Sequence, residues 1–228
     1  MPYLALTAAE FRCCPALPEK CAWMACHFSP YGTGLTNLPK ALPEGSLLIL
    51  NDRTPVRGHD PQQVLDMLQQ AVEEFRCAGV LLDLQRPGCP DTAAIAEKLL
   101  TLPCPVCVSE MYAQDLDCPV FLPPVPLLKT VEEYIAGWKG REVWLEAARN
   151  GAVITVTVEG SCVSPLPVDA EMELPHYDDT LFCHYRILPF SDKAVFTLRR
   201  TESDLDALLE KAASLGITNT VGLWQELK

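Results

Sequence analysis

The sequence predicts an α/β protein built as a small, irregular (β/α)8 barrel of the TIM type, in one domain covering residues 1–228. Short, almost wholly apolar runs alternate with amphipathic helical segments, which implies right-handed crossovers and a parallel sheet. A chain of 228 residues is near the small end for such a barrel, and 49% hydrophobic residues suffice for a core. The alternative is an open, doubly wound sheet, but Tyr31-Gly-Thr-Gly34 is too short for a dinucleotide-binding glycine pattern.

Apolar runs typical of strands buried on both faces are found at residues 23–28, 47–51, 80–84, 106–109, 120–122 and 143–146. Residues 151–160 alternate β-branched side chains, as an exposed or half-buried strand does, and residues 217–227 supply the last strand. This gives a count of eight strands. Several of them lack a full helix afterwards, so we expect a trimmed or irregular barrel.

Helix starts are marked by capping residues, at Asp60 followed by Pro61, at Asp91, and in the capping-box pairs Thr130–Glu133 and Thr201–Asp204. Gly79 and Gly216 follow two of these helices. Between about residues 151 and 198 the chain contains proline, aspartate and aromatic residues without a helical period. We therefore expect a β-rich insertion, or hairpin region, before the last helix.

Composition excludes several classes of function. The net charge of −12 argues against nucleic-acid binding, which needs a basic surface. No apolar run approaches the ~20 residues that span a bilayer, and the N-terminus lacks a secretion signal, so we expect a cytoplasmic protein without a membrane partner. The eleven cysteines are odd in number and are interpreted as reduced thiols. We expect no metal and no other cofactor, and the oligomeric state stays open.

Polar residues follow the predicted strands at the end where such barrels carry their chemistry. The candidates are His27, Asp52, Asp83, Gln85, Arg86, Glu110, Tyr112, Glu146, Trp224 and Glu226. A strand end often carries polar residues simply because the chain enters water there, so the set is more informative than any single member. Four or five carboxyl groups around one mouth would raise one another's pKa values.

The segment Ala78-Gly-Val-Leu-Leu-Asp-Leu-Gln85 resembles the strand signature D-G-x-D-x-D-x-E of glycoside hydrolase family 18, the chitinase-like barrels. Gly79 and Asp83 match in register. Two acids of the signature are replaced by Ala78 and Leu81, and Gln85 stands where the family has its proton-donating glutamate. The resemblance implies a TIM-type barrel and a sugar ligand.

Two further stretches resemble the same family. Residues 216–226 are similar to its last strand, where a tryptophan, here Trp224, floors a sugar subsite. Residues 176–196 are similar to the β-rich portion before the final helix. In the family the substrate's own N-acetyl group attacks, and the protein protonates the leaving oxygen. The Gln85 amide has no such proton, and loss of a general acid removes about 10²–10⁴ in rate.

Three functions stay open. The chain binds a small polar or carbohydrate ligand without hydrolysis, through His27, Asp52, Gln85, Arg86, Tyr112, Trp224 and Glu226. Alternatively it is an active hydrolase in which Glu110 or Glu146 acts with Asp83, or a non-catalytic scaffold. Binding alone predicts one well-placed acid, whereas catalysis predicts two facing carboxyl groups, at least one with a raised pKa. A scaffold predicts a filled mouth.

Overall fold

The structure is a computed structural model that describes residues 1–87, 89–167, 170 and 172–228. In chain order its strands are β1 (Tyr3–Leu6), β2 (Cys21–Phe28), β3 (Leu35–Thr36), β4 (Leu47–Asn51), β5 (Gly79–Asp83), β6 (Val106–Ser109), β7 (Val120–Leu122), β8 (Val143–Glu146), β9 (Gly151–Thr157), β10 (Gly160–Pro165), β11 (His176–Asp178), β12 (Cys183–Pro189), β13 (Lys193–Arg199) and β14 (Asn219–Leu223). The helices are α1 (Ala8–Cys13), α2 (Pro61–Phe75), α3 (Pro90–Leu99), α4 (Glu110–Ala113), α5 (Val131–Ile135), α6 (Glu202–Ser214) and α7 (Trp224–Leu227), and a 3-10 turn at Ala136–Trp138 extends α5.

Eight parallel strands close into a barrel in the order β1-β14-β8-β7-β6-β5-β4-β2, with β2 returning to β1. Closure is visible at Leu4, which lies opposite Gly222 on one side and Cys21 on the other. The short strand β3 pairs antiparallel with β2 outside this ring. The predicted fold class, a small TIM-type barrel, is therefore confirmed.

The predicted number of barrel strands, eight, is correct, but one of the eight segments assigned to the barrel is wrong. The missing barrel strand is β1, whereas residues 151–160 belong to a separate sheet. Only Ala5 and Leu6 of the four residues in β1 are buried, so this short run gives little signal of a buried strand. In β9, by contrast, no residue is fully buried, which agrees with its alternating, half-exposed pattern.

The second sheet is antiparallel, in the order β10-β9-β13-β12-β11, and precedes α6, which confirms the predicted β-rich insertion. Leu127, Cys183 and Leu198 form a small core beneath it. The buried guanidinium of Arg200 donates hydrogen bonds to the carbonyl oxygens of Pro126 and Leu181. These contacts join the sheet to the loop that follows β7.

Barrel core residues divide into two layers. Inside the barrel lie Ala5, Ala22, Leu47, Ile49, Leu81, Cys107, Phe121, Trp144 and Val221. A larger cluster fills the space between the strands and the surrounding helices, which is typical of this architecture. Strand residues therefore alternate between an inner and an outer face, and this alternation sets which side chains reach the mouth.

Helix boundaries follow their capping residues closely. The Asp60 carboxylate accepts a hydrogen bond of 3.0 Å from the Gln62 amide at the start of α2. Both predicted capping boxes, at Thr130 and Thr201, are present. The helix predicted to start at Asp91 begins one residue earlier, because Pro90 fits the first helical position. Within the described residues, no helix has the length and apolar character needed to cross a membrane.

The segment 217–227, predicted as the last strand, is extended only as far as Leu223, and α7 follows it. A Cβ atom at Gly222 would lie 2.3 Å from Cδ1 of Leu227 and 2.5 Å from the carbonyl oxygen of Ala147. Glycine at this position thus allows α7 to fold back against β14. As a result Trp224 lies on a helical turn and not on a barrel strand.

Candidate functional site

The inner face of the barrel ends in polar residues at the carboxyl ends of the strands. Leu81 and Trp144 line the interior, and two residues further along, on the same face, come Asp83 on β5 and Glu146 on β8. The period of two in a strand therefore brings both carboxyl groups to the mouth. Both are partly buried.

A cavity of about 630 Å³ occupies this mouth. Its apolar lining includes Ile49, Leu81, Phe121 and Val221 at the top of the barrel core. The polar and charged lining consists of Thr7, Arg12, His27, Asn37, Asn51, Asp52, Arg53, Asp83, Gln85 and Glu146. This size falls within the range of small-molecule sites, about 300–1,000 Å³. The mouth therefore contains an open cavity, whereas the scaffold hypothesis predicted a filled mouth.

Asp83 and Glu146 both have raised pKa values, and the charge of Asp83 contributes to the rise at Glu146. Burial raises the pKa of Glu146 to about 7, and the charges of Asp83 and Glu226 add to the rise. Burial also raises the pKa of Asp83, a hydrogen bond from Gln85 opposes the rise, and the charge of Asp52 adds to it. Near neutral pH, Glu146 therefore exists in both protonation states, which is the property of a group that exchanges protons.

Gln85 lines the same cavity and is tied to Asp83. Its side-chain Nε2 donates a hydrogen bond of 2.9 Å to Oδ1 of Asp83. This bond favours the ionised form of Asp83 and fixes the orientation of both side chains. The pair offers a carboxylate and an amide, which are groups that can receive and donate hydrogen bonds to a polar ligand.

Asp52 and Arg86 form a reciprocal clamp between the loops after β4 and β5. The Asp52 carboxylate, in a residue only 5% exposed, accepts hydrogen bonds from the backbone amides of Gln85 and Arg86 at 2.7–3.1 Å. In return the Arg86 guanidinium donates to the carbonyl oxygens of Asp52 and Arg53, each at 2.8 Å. The Tyr112 hydroxyl donates to the carbonyl of Arg86. These polar groups are therefore engaged within the chain.

His27 lies at the cavity with its ring held by neighbours. Its Nδ1 is 3.0 Å from the Thr36 hydroxyl and 3.0 Å from the carbonyl oxygen of Phe28. The Asn37 amide lies 3.1 Å from its Nε2. His27 and Asn37 thus form one polar side of the cavity, above β2.

Five of the ten predicted site residues line the cavity, and the other five are not part of its lining. Among the described residues, the lining includes His27, Asp52, Asp83, Gln85 and Glu146 but not Arg86, Glu110, Tyr112, Trp224 or Glu226. Glu110 begins α4, and its charge, with that of Glu146, adds to the effect of burial in raising the pKa of Tyr134. Trp224 lies on α7, with Nζ of Lys228 at 5.7 Å from its ring centre.

Two cationic residues of the lining were absent from the predicted site, namely Arg12 and Arg53. Arg12 lies on α1, directly after the barrel strand β1 that the apolar pattern did not reveal. Arg53 follows β4 by two residues and was therefore visible at a strand end. Among the described residues, no group of three or more His, Cys, Asp or Glu side chains is arranged to hold a metal ion.

Comparison with known proteins gives matches in structure only. No protein-family model matches the chain, and no curated protein matches its sequence. A chitinase from Chromobacterium violaceum ATCC 12472 has a TM-score of 0.58 at 9% identity, covering 97% of this chain and 93% of that one. The spore cortex-lytic enzymes SleL of Bacillus megaterium QM B1551 and Bacillus cereus each have a TM-score of 0.55 at 10% identity, covering 90% of this chain.

The chain spans 63% of the length of each SleL chain. At about 10% identity these matches show the fold. The chain therefore has the closed eight-stranded barrel of chitinase-like and cortex-lytic enzymes, as the resemblance of residues 78–85 to family 18 implied.

Proposed function

We propose that the protein is a glycoside-hydrolase-like barrel that binds a carbohydrate, or a related polar ligand, in the cavity at the barrel mouth. The observation that carries the proposal is the cavity itself, which joins an apolar floor to a ring of hydrogen-bonding side chains at the strand ends. Sugars present the same two features, since their ring faces are apolar and their hydroxyl groups need polar partners. Barrels of this kind bind ligands at this end.

Asp83 and Gln85 are the residues most suited to receive the ligand. Their mutual hydrogen bond fixes both side chains before a ligand arrives, which reduces the entropy lost on binding. Gln85 also replaces the acid that the family 18 pattern places at this position. Any chemistry of that family would therefore have to take its proton from another residue.

Isothermal titration calorimetry with oligomers of N-acetylglucosamine tests the proposal. We expect saturable binding that Asp83→Ala weakens about tenfold, since a hydrogen bond to a charged group contributes about 1.5–3 kcal/mol. Asp115→Ala, which removes an exposed carboxylate outside the cavity lining, is the matched control and should bind as the wild type does. Absence of binding by any amino-sugar oligomer would reject this ligand class.

Hydrolysis is a second candidate, favoured by the pair Asp83 and Glu146. We infer that Glu146, with a pKa of about 7, would donate its proton to the glycosidic oxygen as the bond to the sugar breaks. In the same step Asp83 would either accept a proton from the water that attacks the sugar carbon, or attack that carbon itself to form a glycosyl ester, which water deprotonated by Glu146 then hydrolyses. The two cases need carboxyl groups ~6.5–9.5 Å or ~5–5.5 Å apart, respectively.

Turnover of chromogenic amino-sugar glycosides distinguishes this candidate from binding alone. Glu146→Gln should lower kcat by about 10²–10⁴ while ligand affinity changes little. The wild-type rate should fall as the pH rises above about 7, because Glu146 then loses the proton that it donates. Glu110→Gln is the matched comparison, and a larger loss there than at Glu146 would reject Glu146 as the acid. A wild type that binds but shows no turnover would leave the binding function alone.

A further inference from the structure

The second sheet ends in two edge strands that differ in length and charge. The strand β11 spans only His176–Asp178, three residues that include a carboxylate. The strand β10 spans the six residues Gly160–Pro165, all of them exposed and none of them charged. Proteins usually protect an exposed edge by charged residues, proline or short length, because its unpaired backbone groups bind other strands. The edge at β11 has this protection, whereas β10 has it only at its last residue, Pro165.

The pairing of β10 with β9 shows which backbone groups of β10 are open. In an antiparallel pair, alternate residues of a strand direct their backbone groups to the neighbouring strand. The Leu166 amide, just after β10, donates a hydrogen bond of 2.9 Å to the carbonyl oxygen of Gly151 on β9. Even-numbered residues of β10 therefore face β9, and the amides of Ser161 and Val163 point away from the sheet. Among the described residues, β10 pairs with no strand other than β9.

An apolar row on one face of the sheet reaches this open edge. Val163 lies opposite Ile154 on β9, which lies opposite Phe196 on β13. Phe196 in turn lies opposite Ile187 on β12. The two ends of the row, Val163 and Ile187, are 64% and 45% exposed, and contiguous exposed apolar residues mark interaction surfaces. Two copies of a chain with a net charge of −12 repel each other, so an uncharged edge beside an apolar row is a contact that suits their association.

We propose that β10 pairs with β10 of a second copy of this chain, antiparallel, about a twofold axis perpendicular to the sheet. Ser161 then exchanges backbone hydrogen bonds with the partner's Val163, and the symmetric contact satisfies the outward amides of both strands. This register places Cys162 opposite the partner's Cys162, in a pair without hydrogen bonds, where side chains are closest. One strand from each copy makes a small interface, so we expect a reversible dimer with a Kd on the order of 10 μM. The inference does not depend on the ligand of the barrel mouth.

Sedimentation velocity under reducing conditions tests the proposal, at protein concentrations from about tenfold below this Kd to about tenfold above it. We expect the wild type to change from monomer to dimer over this range. Val163→Pro removes an outward amide at an edge position that tolerates proline, and should weaken the dimer at least about tenfold. Cys162→Lys sets like charges directly opposite each other and should also weaken it. Ser191→Lys adds the same charge at an exposed turn outside β10 and should dimerise as the wild type does.

A bis-maleimide with a two-carbon spacer tests the register, because it links only thiols that lie close together. The wild type should form a covalent dimer, and Cys162→Ser should not, although it still dimerises in sedimentation. Among the described residues the other exposed thiol is that of Cys13, so Cys13→Ser is the matched control and should keep the crosslink.

A wild type that stays monomeric over the whole range would overturn the proposal. A dimer that neither Val163→Pro nor Cys162→Lys weakens would overturn it as well, because its interface would then lie elsewhere. The same conclusion follows if Ser191→Lys weakens the dimer as much as Cys162→Lys does, since the effect would come from net charge. Thermal unfolding of each variant shows that it is folded, and sugar binding, measured separately, tests the proposed function alone.

Discussion

Polar residues at the barrel mouth form two regions that differ in how their charged groups are hydrogen-bonded. In the clamp, formed by Asp52 and Arg86, the charged groups are hydrogen-bonded to the backbone of the neighbouring loop. In the acid pair, formed by Asp83 and Glu146, the carboxyl groups face the cavity, and burial raises both pKa values. Each region contains a carboxyl group at or directly after the end of a barrel strand, Asp52 after β4 and Asp83 and Glu146 on β5 and β8. The difference is whether the chain itself supplies the hydrogen-bond partners.

This difference separates stability from function. A buried carboxylate that accepts backbone hydrogen bonds stabilises the fold, and its removal leaves donors without partners. A carboxylate that is partly desolvated without such donors destabilises the fold when ionised, as functional sites commonly do. Substitutions in the clamp should therefore lower the free energy of unfolding, and neutral substitutions in the acid pair should raise it.

Asp52→Ala should have the largest effect on stability. It removes the acceptor for the amides of Gln85 and Arg86, and we expect a loss of about 4 kcal/mol in the free energy of unfolding. Asp52→Asn retains one acceptor oxygen and should lose less. Urea denaturation measures both, with the exposed Asp115→Ala as a control that changes stability little. If Asp52→Ala is as stable as the control, the clamp has no structural role.

Glu146→Gln should raise the free energy of unfolding, by an amount that depends on pH. The pKa of Glu146 lies above its unfolded value, so the native state binds more protons between about pH 4.5 and 7, and wild-type stability falls as the pH rises through this window. The neutral glutamine avoids this loss. We expect Glu146→Gln to match the wild type near pH 4 and to exceed it by about 1–3 kcal/mol at pH 8. Parallel pH profiles for the two proteins would show that Glu146 is not desolvated.

Tyr112→Phe should have the smallest effect. Its hydroxyl donates a hydrogen bond to the carbonyl of Arg86 at the outer side of the clamp. A single neutral hydrogen bond contributes about 1 kcal/mol or less to net stability. Urea denaturation should show a small loss, with sugar affinity unchanged. A large loss of affinity would instead place Tyr112 in the ligand site, as the sequence had suggested.

Strand periodicity explains why much of the fold was predictable. The apolar runs of β2, β4 and β5, five to eight residues long, mark buried parallel strands without reference to the rest of the chain. The strand β1 was missed because its burial depends on pairing with β14 at the far end of the chain. The end of β14 was missed because the turn at Gly222 depends on contact with Ala147, which no local pattern reveals.

The part of the candidate site that follows from the alternation of side chains along a strand could be predicted from the sequence. Asp83 and Glu146 each end a strand on the inner face, so the sequence already placed them together. The engagement of Asp52 and Arg86 in a clamp could not be predicted, because it depends on the paths of two loops. Arg12 was missed together with β1. Trp224 was placed on the strand by resemblance, whereas the chain turns one residue before it.

Measuring the pKa of Glu146 tests most directly whether Asp83 and Glu146 form a desolvated acid pair, distinct from the clamp of Asp52 and Arg86. Side-chain ¹³C-NMR can follow the carboxyl carbon of Glu146 through a pH titration of the wild type and of Asp83→Asn. We predict a pKa of about 7 in the wild type and a lower value in the variant, because the variant removes one of the charges that raise it. A wild-type value near 4.5, unchanged in Asp83→Asn, would show that the two carboxyl groups do not form a desolvated pair at the mouth.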